Sequence, residues 1–165
     1  MLKKILNSQK CGTCRICCGF DETDKWEIPL IYSENKEKIE NNYGFKFIRR
    51  NKEYVFDMHF KADEVVFCPA LGEHGCILGD LKPFDCKIWP FRVNKLGEFN
   101  VITVSPVCHE VSSLPLDRLS EFVNSDGFAE ILFTEAEKHP DMIKPYLQGY
   151  PILAVKASNK SQNIK

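Results

Sequence analysis

Eight cysteines in 165 residues constrain this chain more than any other feature. Cys11, Cys14, Cys17 and Cys18 fall within eight consecutive positions, and Cys68, Cys76, Cys86 and Cys108 follow. A chain of this length, 44% apolar and with twelve Phe, can bury a core without covalent staples. The thiols therefore call for another explanation. Lys3 and Lys4 imitate the start of an export signal, but Ile5 and Leu6 are followed at once by Asn-Ser-Gln-Lys, so no apolar signal core forms. No stretch approaches the roughly 20 apolar residues of a membrane span. The expectation is a cytoplasmic protein, in which thiols stay reduced and dense cysteines read as metal-binding or redox groups. Four disulfides would be the reading for an exported chain.

The spacing of the first three thiols is Cys-x2-Cys-x2-Cys, which wraps sulfurs around one face of an iron–sulfur cluster. The fourth ligand of such a run comes from elsewhere in the chain and precedes a proline, as Cys68-Pro69 does here. One partition thus places Cys11, Cys14, Cys17 and Cys68 on a cluster of the four-iron, four-sulfur type. Cys18, Cys76, Cys86 and Cys108 remain for a second four-thiolate site.

Zinc is the other reading, since it takes four thiolates tetrahedrally and Cys-x2-Cys is a common half-site. Zinc ribbons repeat that half-site, whereas seven, nine and twenty-one residues separate the later cysteines here. Adjacent Cys17 and Cys18 are expected to point apart and to serve different sites. Lys10, Arg15, Lys82, Lys87 and Arg92 lie near cysteines, where they could offset thiolate charge or simply be solvated. His74 and His109 are the histidines placed to replace a thiolate, while His59 and His139 read as structural or solvated. A thioredoxin-like site needs a strand before its Cys-x2-Cys, and Cys11 stands too near the start for one.

The net charge of −1 supplies no bulk attraction to nucleic acid or to an acidic membrane, and neither is expected as a partner. A protein partner is left open. No paired-carboxylate, Ser-His-Asp or phosphate-loop signature is present, so whether the chain is an enzyme is left open too.

Periodicity predicts an α+β fold: small antiparallel hairpins and Cys-rich loops with C-terminal helices. Ser33 is the expected N-cap of a helix over 34–41. Hairpins are predicted from 45–50 with 54–60, and from 91–94 with 99–104. The segment 68–86 reads as loop, rich in Gly and turn residues. Helices are predicted over 116–123 and 128–136, the second capped by Asp126, with a break at His139-Pro140 and a short helix over 141–147. The whole reads as one domain over 1–157. Its metal core runs from about 11 to 108 and its helical part from about 112 to 157, and 158–165 is a polar tail expected to be disordered.

The order Cys11-x2-Cys14-x2-Cys17-Cys18, Cys68-Pro69-x-Leu71, Cys76, Lys82-Pro83-x2-Cys86 and Trp89-Pro90 resembles the YkgJ-type cysteine-cluster family. The resemblance covers roughly 11–108 and implies a zinc- or iron-chelating domain that binds through cysteines; the candidate ligands here are all eight. The chain departs from the family at Arg15, where Gly is frequent, and at Lys82-Pro83, where Arg-Pro is common. Lysine keeps the charge but loses the planar fork. A related cysteine region occurs in the longer flagellin lysine N-methylases, but no glycine-rich cofactor loop is present here. The reading is a metal-binding protein that holds an iron–sulfur cluster, zinc or iron, for electron transfer or cluster-dependent modification of a partner. Its alternative is a structural zinc-binding adaptor.

Overall fold

The computed structural model describes residues 1–6 and 13–156. Its helices and mainly antiparallel strands make the fold α+β. Contacts divide the chain into two compact units, Met1–Trp89 and Pro90–Lys165. Cys108 therefore belongs to the second unit, and the other described cysteines to the first.

The first unit contains an apolar core cluster of Ile31, Ile39, Phe56, Ala70 and Leu78, and also buries Leu30, Val55 and Ile88. Helix α1 (Ser33–Tyr43) contributes a single fully buried side chain, Ile39. Gly44 ends it in the left-handed region at φ 70°, donating its N–H to the Glu40 carbonyl at 2.8 Å. Ser33 does not cap this helix. Tyr32 holds the N-cap position, and the Ser33 hydroxyl bonds to the Glu53 carboxylate and the Lys52 carbonyl. Strands β2 (Phe47–Arg50) and β3 (Glu53–Phe56) form the first predicted hairpin, with Phe47 opposite Phe56 and Asn51 at φ 53° in the turn. The Phe56 ring meets Phe45 and Phe47 at centroid distances of 5.6 and 5.2 Å. Asparagine tolerates the left-handed turn conformation better than most residues, which suits a two-residue connection.

Four short strands carry the chain past its cysteines. Strand β1 (Gly19–Phe20) pairs antiparallel with β4 (Val66–Phe67). Strands β5 (Leu71–Gly72) and β6 (Gly75–Cys76) make a second tight pair. A 3-10 turn at Gly79–Leu81 and helix α2 (Phe84–Ile88) follow. The segment 68–86 is thus a chain of minimal elements rather than plain loop. Its Gly and Pro residues punctuate those elements, and that punctuation is what reads as loop in the sequence.

In the second unit, β7 (Phe91–Leu96) and β8 (Phe99–Val104) form the other predicted hairpin, turning at Gly97 with φ 55°. Three more helices follow: α3 (His109–Ser112), α4 (Leu116–Asn124) and α5 (Phe128–Lys138). Strand β9 (Lys144–Pro145) then runs parallel to β7, and β10 (Ile152–Lys156) antiparallel to β8, giving the sheet order β10-β8-β7-β9. Leu119, Val123, Leu132 and Ala136 are each at most 1% exposed, so most of the predicted apolar positions of α4 and α5 are buried, while Leu116 and Ile131 stay exposed. Phe91, Phe122 and Phe128 meet with centroid distances of 5.0–5.7 Å. Each such burial contributes about 1.5–3 kcal/mol.

Two expectations fail here for local reasons. Asp126 does not cap α5, because Asp126 and Gly127 both turn left-handed and Gly127 takes the N-cap position. The expected helix over 141–147 is instead a 3-10 turn, Pro140–Met142, followed by β9. Pro145 has no N–H to give a helix, and its ring would clash with the preceding turn. The predicted tail at 158–165 lies outside the described residues.

Candidate functional site

Backbone pairing in the first unit brings the early and late cysteines together. The chain enters through a 3-10 turn, Ile16–Cys18, that starts from Arg15 in the left-handed region at φ 58°. The Arg15 guanidinium donates to the Glu73 carbonyl at 3.4 Å, linking this turn to the β5–β6 connection. β1 begins at Gly19, and β1–β4 pairing sets Gly19 opposite Phe67. The Cys68 N–H then donates to the Cys18 carbonyl at 2.7 Å. A Cβ at position 19 would lie 3.0 Å from Val65 Cγ1 and 3.2 Å from Phe67 Cε1, so this close approach favours glycine.

Two further devices hold the late cysteines. Leu71 N–H donates to the Cys68 carbonyl, and the β5–β6 register puts Leu71 opposite Cys76. Cys68 and Cys76 both pack against the unit's apolar core. Cys86 sits in α2, whose position is fixed by Asp85: its carboxylate accepts the Leu30 N–H at 3.1 Å. Arg50 secures the same stretch by donating to the carbonyls of Lys25, Trp26 and Ile28. Burial lowers the Arg50 pKa, and the charge of Asp85 opposes that shift. Sequence reasoning missed this Arg50–Asp85 arrangement, because nothing local links residues 35 positions apart.

The thiols influence one another. The sulfurs of Cys17 and Cys18 are in hydrogen-bond contact at 4.0 Å. The expectation that adjacent cysteines point apart does not hold, because the tight 3-10 turn brings both side chains round to one side. That contact, then burial, then the charge of Cys18 push the Cys17 thiol up, while Lys82 opposes the shift. Burial pushes Cys68 up to about 11, with Cys76 and Cys17 adding to the effect and a bond from the Ala70 backbone opposing it. The Cys86 thiol is pushed well up by burial first and by Asp85 next; Cys68 and Cys76 also raise it, and Lys82 again opposes. Cys17, Cys18, Cys68, Cys76 and Cys86 are thus linked through the shifts of Cys17, Cys68 and Cys86, and Lys82 favours the thiolates of Cys17 and Cys86.

The remaining predicted ligands fall differently. Cys14 is exposed, ahead of the turn and outside this linked set. Cys11 lies outside the described residues, as does Lys10. Cys108 is buried in the second unit, at the start of α3. His74 and His109 are exposed. Lys87 donates to the Asp80 carbonyl at 2.9 Å, a bond that closes the loop ahead of α2.

The donor chemistry fits a thiophilic ion. Cys14, Cys17, Cys18, Cys68, Cys76 and Cys86 carry free thiols. Two thiolates on one tetrahedral zinc, at ~2.3 Å each, stand ~3.8 Å apart, close to the 4.0 Å between Cys17 and Cys18. Among the described residues, no three His, Cys, Asp or Glu side chains are yet drawn together as an ion cage. The set is a gathering of thiols that an ion would have to tighten. Among the described residues, no helix is long and apolar enough to cross a membrane. No protein-family model matches the chain, and no curated protein or solved structure matches it either.

Proposed function

We propose that the first unit is a thiolate metal centre, with ligands drawn from Cys17, Cys18, Cys68, Cys76 and Cys86. The observation that carries this reading is the backbone pairing that gathers these cysteines, with the Cys68 N–H bonded to the Cys18 carbonyl and Cys76 set opposite Leu71. The 4.0 Å contact between Cys17 and Cys18 favours a single tetrahedral ion, zinc or iron, held partly by that pair. Kinship with the YkgJ-type cysteine-cluster proteins belongs to the same proposal. So do a cytoplasmic location and a role as an adaptor for a protein partner.

An iron–sulfur cluster on Cys11, Cys14, Cys17 and Cys68 is the second reading. It is favoured by the Cys-x2-Cys-x2-Cys run with its remote Cys-Pro and by the mutual influence of Cys17 and Cys68. It would suit electron transfer or modification of a partner.

Metal analysis of anaerobically purified protein, with its visible spectrum, separates the readings. Stoichiometric zinc in colourless protein, or one iron per chain without inorganic sulfide, is expected for the first. Brown protein that bleaches in air would replace it by the second. Protein without bound zinc or iron, and unable to take either up, would overturn both. Cys68→Ser should lower metal content under either reading, whereas Cys14→Ser should lower it only under the second.

A further inference from the structure

We infer that Cys17 and Cys18 form a redox-active vicinal dithiol, closing reversibly to a disulfide within the 3-10 turn that carries them. Their sulfurs stand 4.0 Å apart, so side-chain rotation and a local adjustment of the joining peptide have to bring them ~2 Å closer to reach a disulfide bond. The left-handed Arg15 and the bond from Cys68 N–H to Cys18 O hold the turn on either side of the pair. Neither fixation involves the two side chains that must rotate.

Hydrogen peroxide is the oxidant class. One thiolate attacks a peroxide oxygen, the O–O bond breaks, and a sulfenic acid forms with release of the first water. The neighbouring thiol attacks that sulfur, the S–S bond forms and a second water leaves. Two electrons pass from the sulfurs to peroxide, and both thiol protons end in water. Adjacent Cα atoms stand only ~3.8 Å apart across a trans peptide, below the ~4.4–6.8 Å usual for a disulfide. The closed form is therefore strained, and strained disulfides are the ones that cellular thiols reopen. Oxidation also removes two thiolates from the cluster and expels its ion; this second half rests on the proposed metal centre.

The test treats metal-free full-length protein with peroxide, alkylates the remaining thiols and digests with trypsin. Residues 16–25 form one peptide containing both cysteines, while Cys68, Cys76 and Cys86 share the peptide 62–87 because Lys82 precedes Pro83. The expected product is peptide 16–25 two hydrogens lighter, free of alkyl label and restored by glutathione. Peptide 16–25 cross-linked to 62–87 or to 11–15, or alkylated at both cysteines, would overturn the inference. Repeating the experiment on zinc-loaded protein isolates the second half. Zinc should slow closure and be released at one equivalent per disulfide formed. Closure at the same rate with and without zinc would sink the release step and count against the metal centre, leaving the dithiol standing.

Discussion

Four strands of up to six residues, with apolar helices and a cluster of three phenylalanines, define the second unit. Around the thiols of the first unit the strands are two residues long. Pairs that short cannot stabilise themselves in water. What holds them is a small apolar core, the Arg50 and Asp85 bonds and a few backbone links between cysteine-bearing segments. Hydrophobic burial specifies the second unit outright. The first also buries apolar side chains, but around its sulfurs the strands are only two residues long.

On the proposed metal centre, the largest effect should come from removing the ion. Structural zinc contributes about 10–16 kcal/mol in small zinc-binding peptides. After chelation, proteolysis should begin within 68–86 while the β7–β8–β10 sheet stays protected. Equal resistance with and without chelator would erase the contrast between the units. Next in size is Leu132→Ala, which empties a fully buried site in the second unit and should cost about 2–5 kcal/mol. Urea denaturation should register that loss equally with and without metal; a metal-dependent loss would mean that the units do not differ as described.

A smaller effect is the pH dependence of the thiol set. Cys68 has a folded-state pKa near 11 against an ordinary 9.0, so it stays protonated at neutral pH. The stability this gives metal-free protein is complete below about pH 9 and is lost as pH climbs through about 11. Binding an ion expels the proton, so apparent affinity should rise with pH by about 1.4 kcal/mol per unit for each proton displaced. Competition with a chelator between about pH 7 and about pH 8 measures the slope, and a flat response would exclude buried thiols as ligands. Smallest is Gly44→Ala, where a side chain at φ 70° should cost about 1 kcal/mol, read as a lowered melting temperature. No loss would mean that the α1 terminus relaxes freely.

Both long hairpins and helices α4 and α5 were readable in the sequence because their apolar residues repeat at the spacing of the structure they adopt. Ser33 and Asp126 misled because a capping side chain is only one use of a hydroxyl or carboxylate near a helix start. Ser33 bonds Glu53 from the neighbouring hairpin instead, and Asp126 gives way to glycine. At the site, the importance of the cysteines was plain from their number. Which of them are neighbours was not, since that depends on β1–β4 pairing between strands too short to announce themselves. The contact between Cys17 and Cys18 was misread because it arises from the handedness of one residue, Arg15.

The sheet order of the second unit has a consequence for biosynthesis. Strand β8, with its apolar Val101, Ile102 and Val104, can pair with β7 at once, yet its other neighbour is β10, roughly 50 residues downstream. At ~5–20 residues per second on the ribosome, that flank waits about 3–10 s for its partner. Throughout that interval the nascent hairpin offers an open, hydrophobic border to any extended polypeptide nearby. A premature stop before Ile152 would make the exposure permanent, so shortened chains should be recovered mainly as insoluble material.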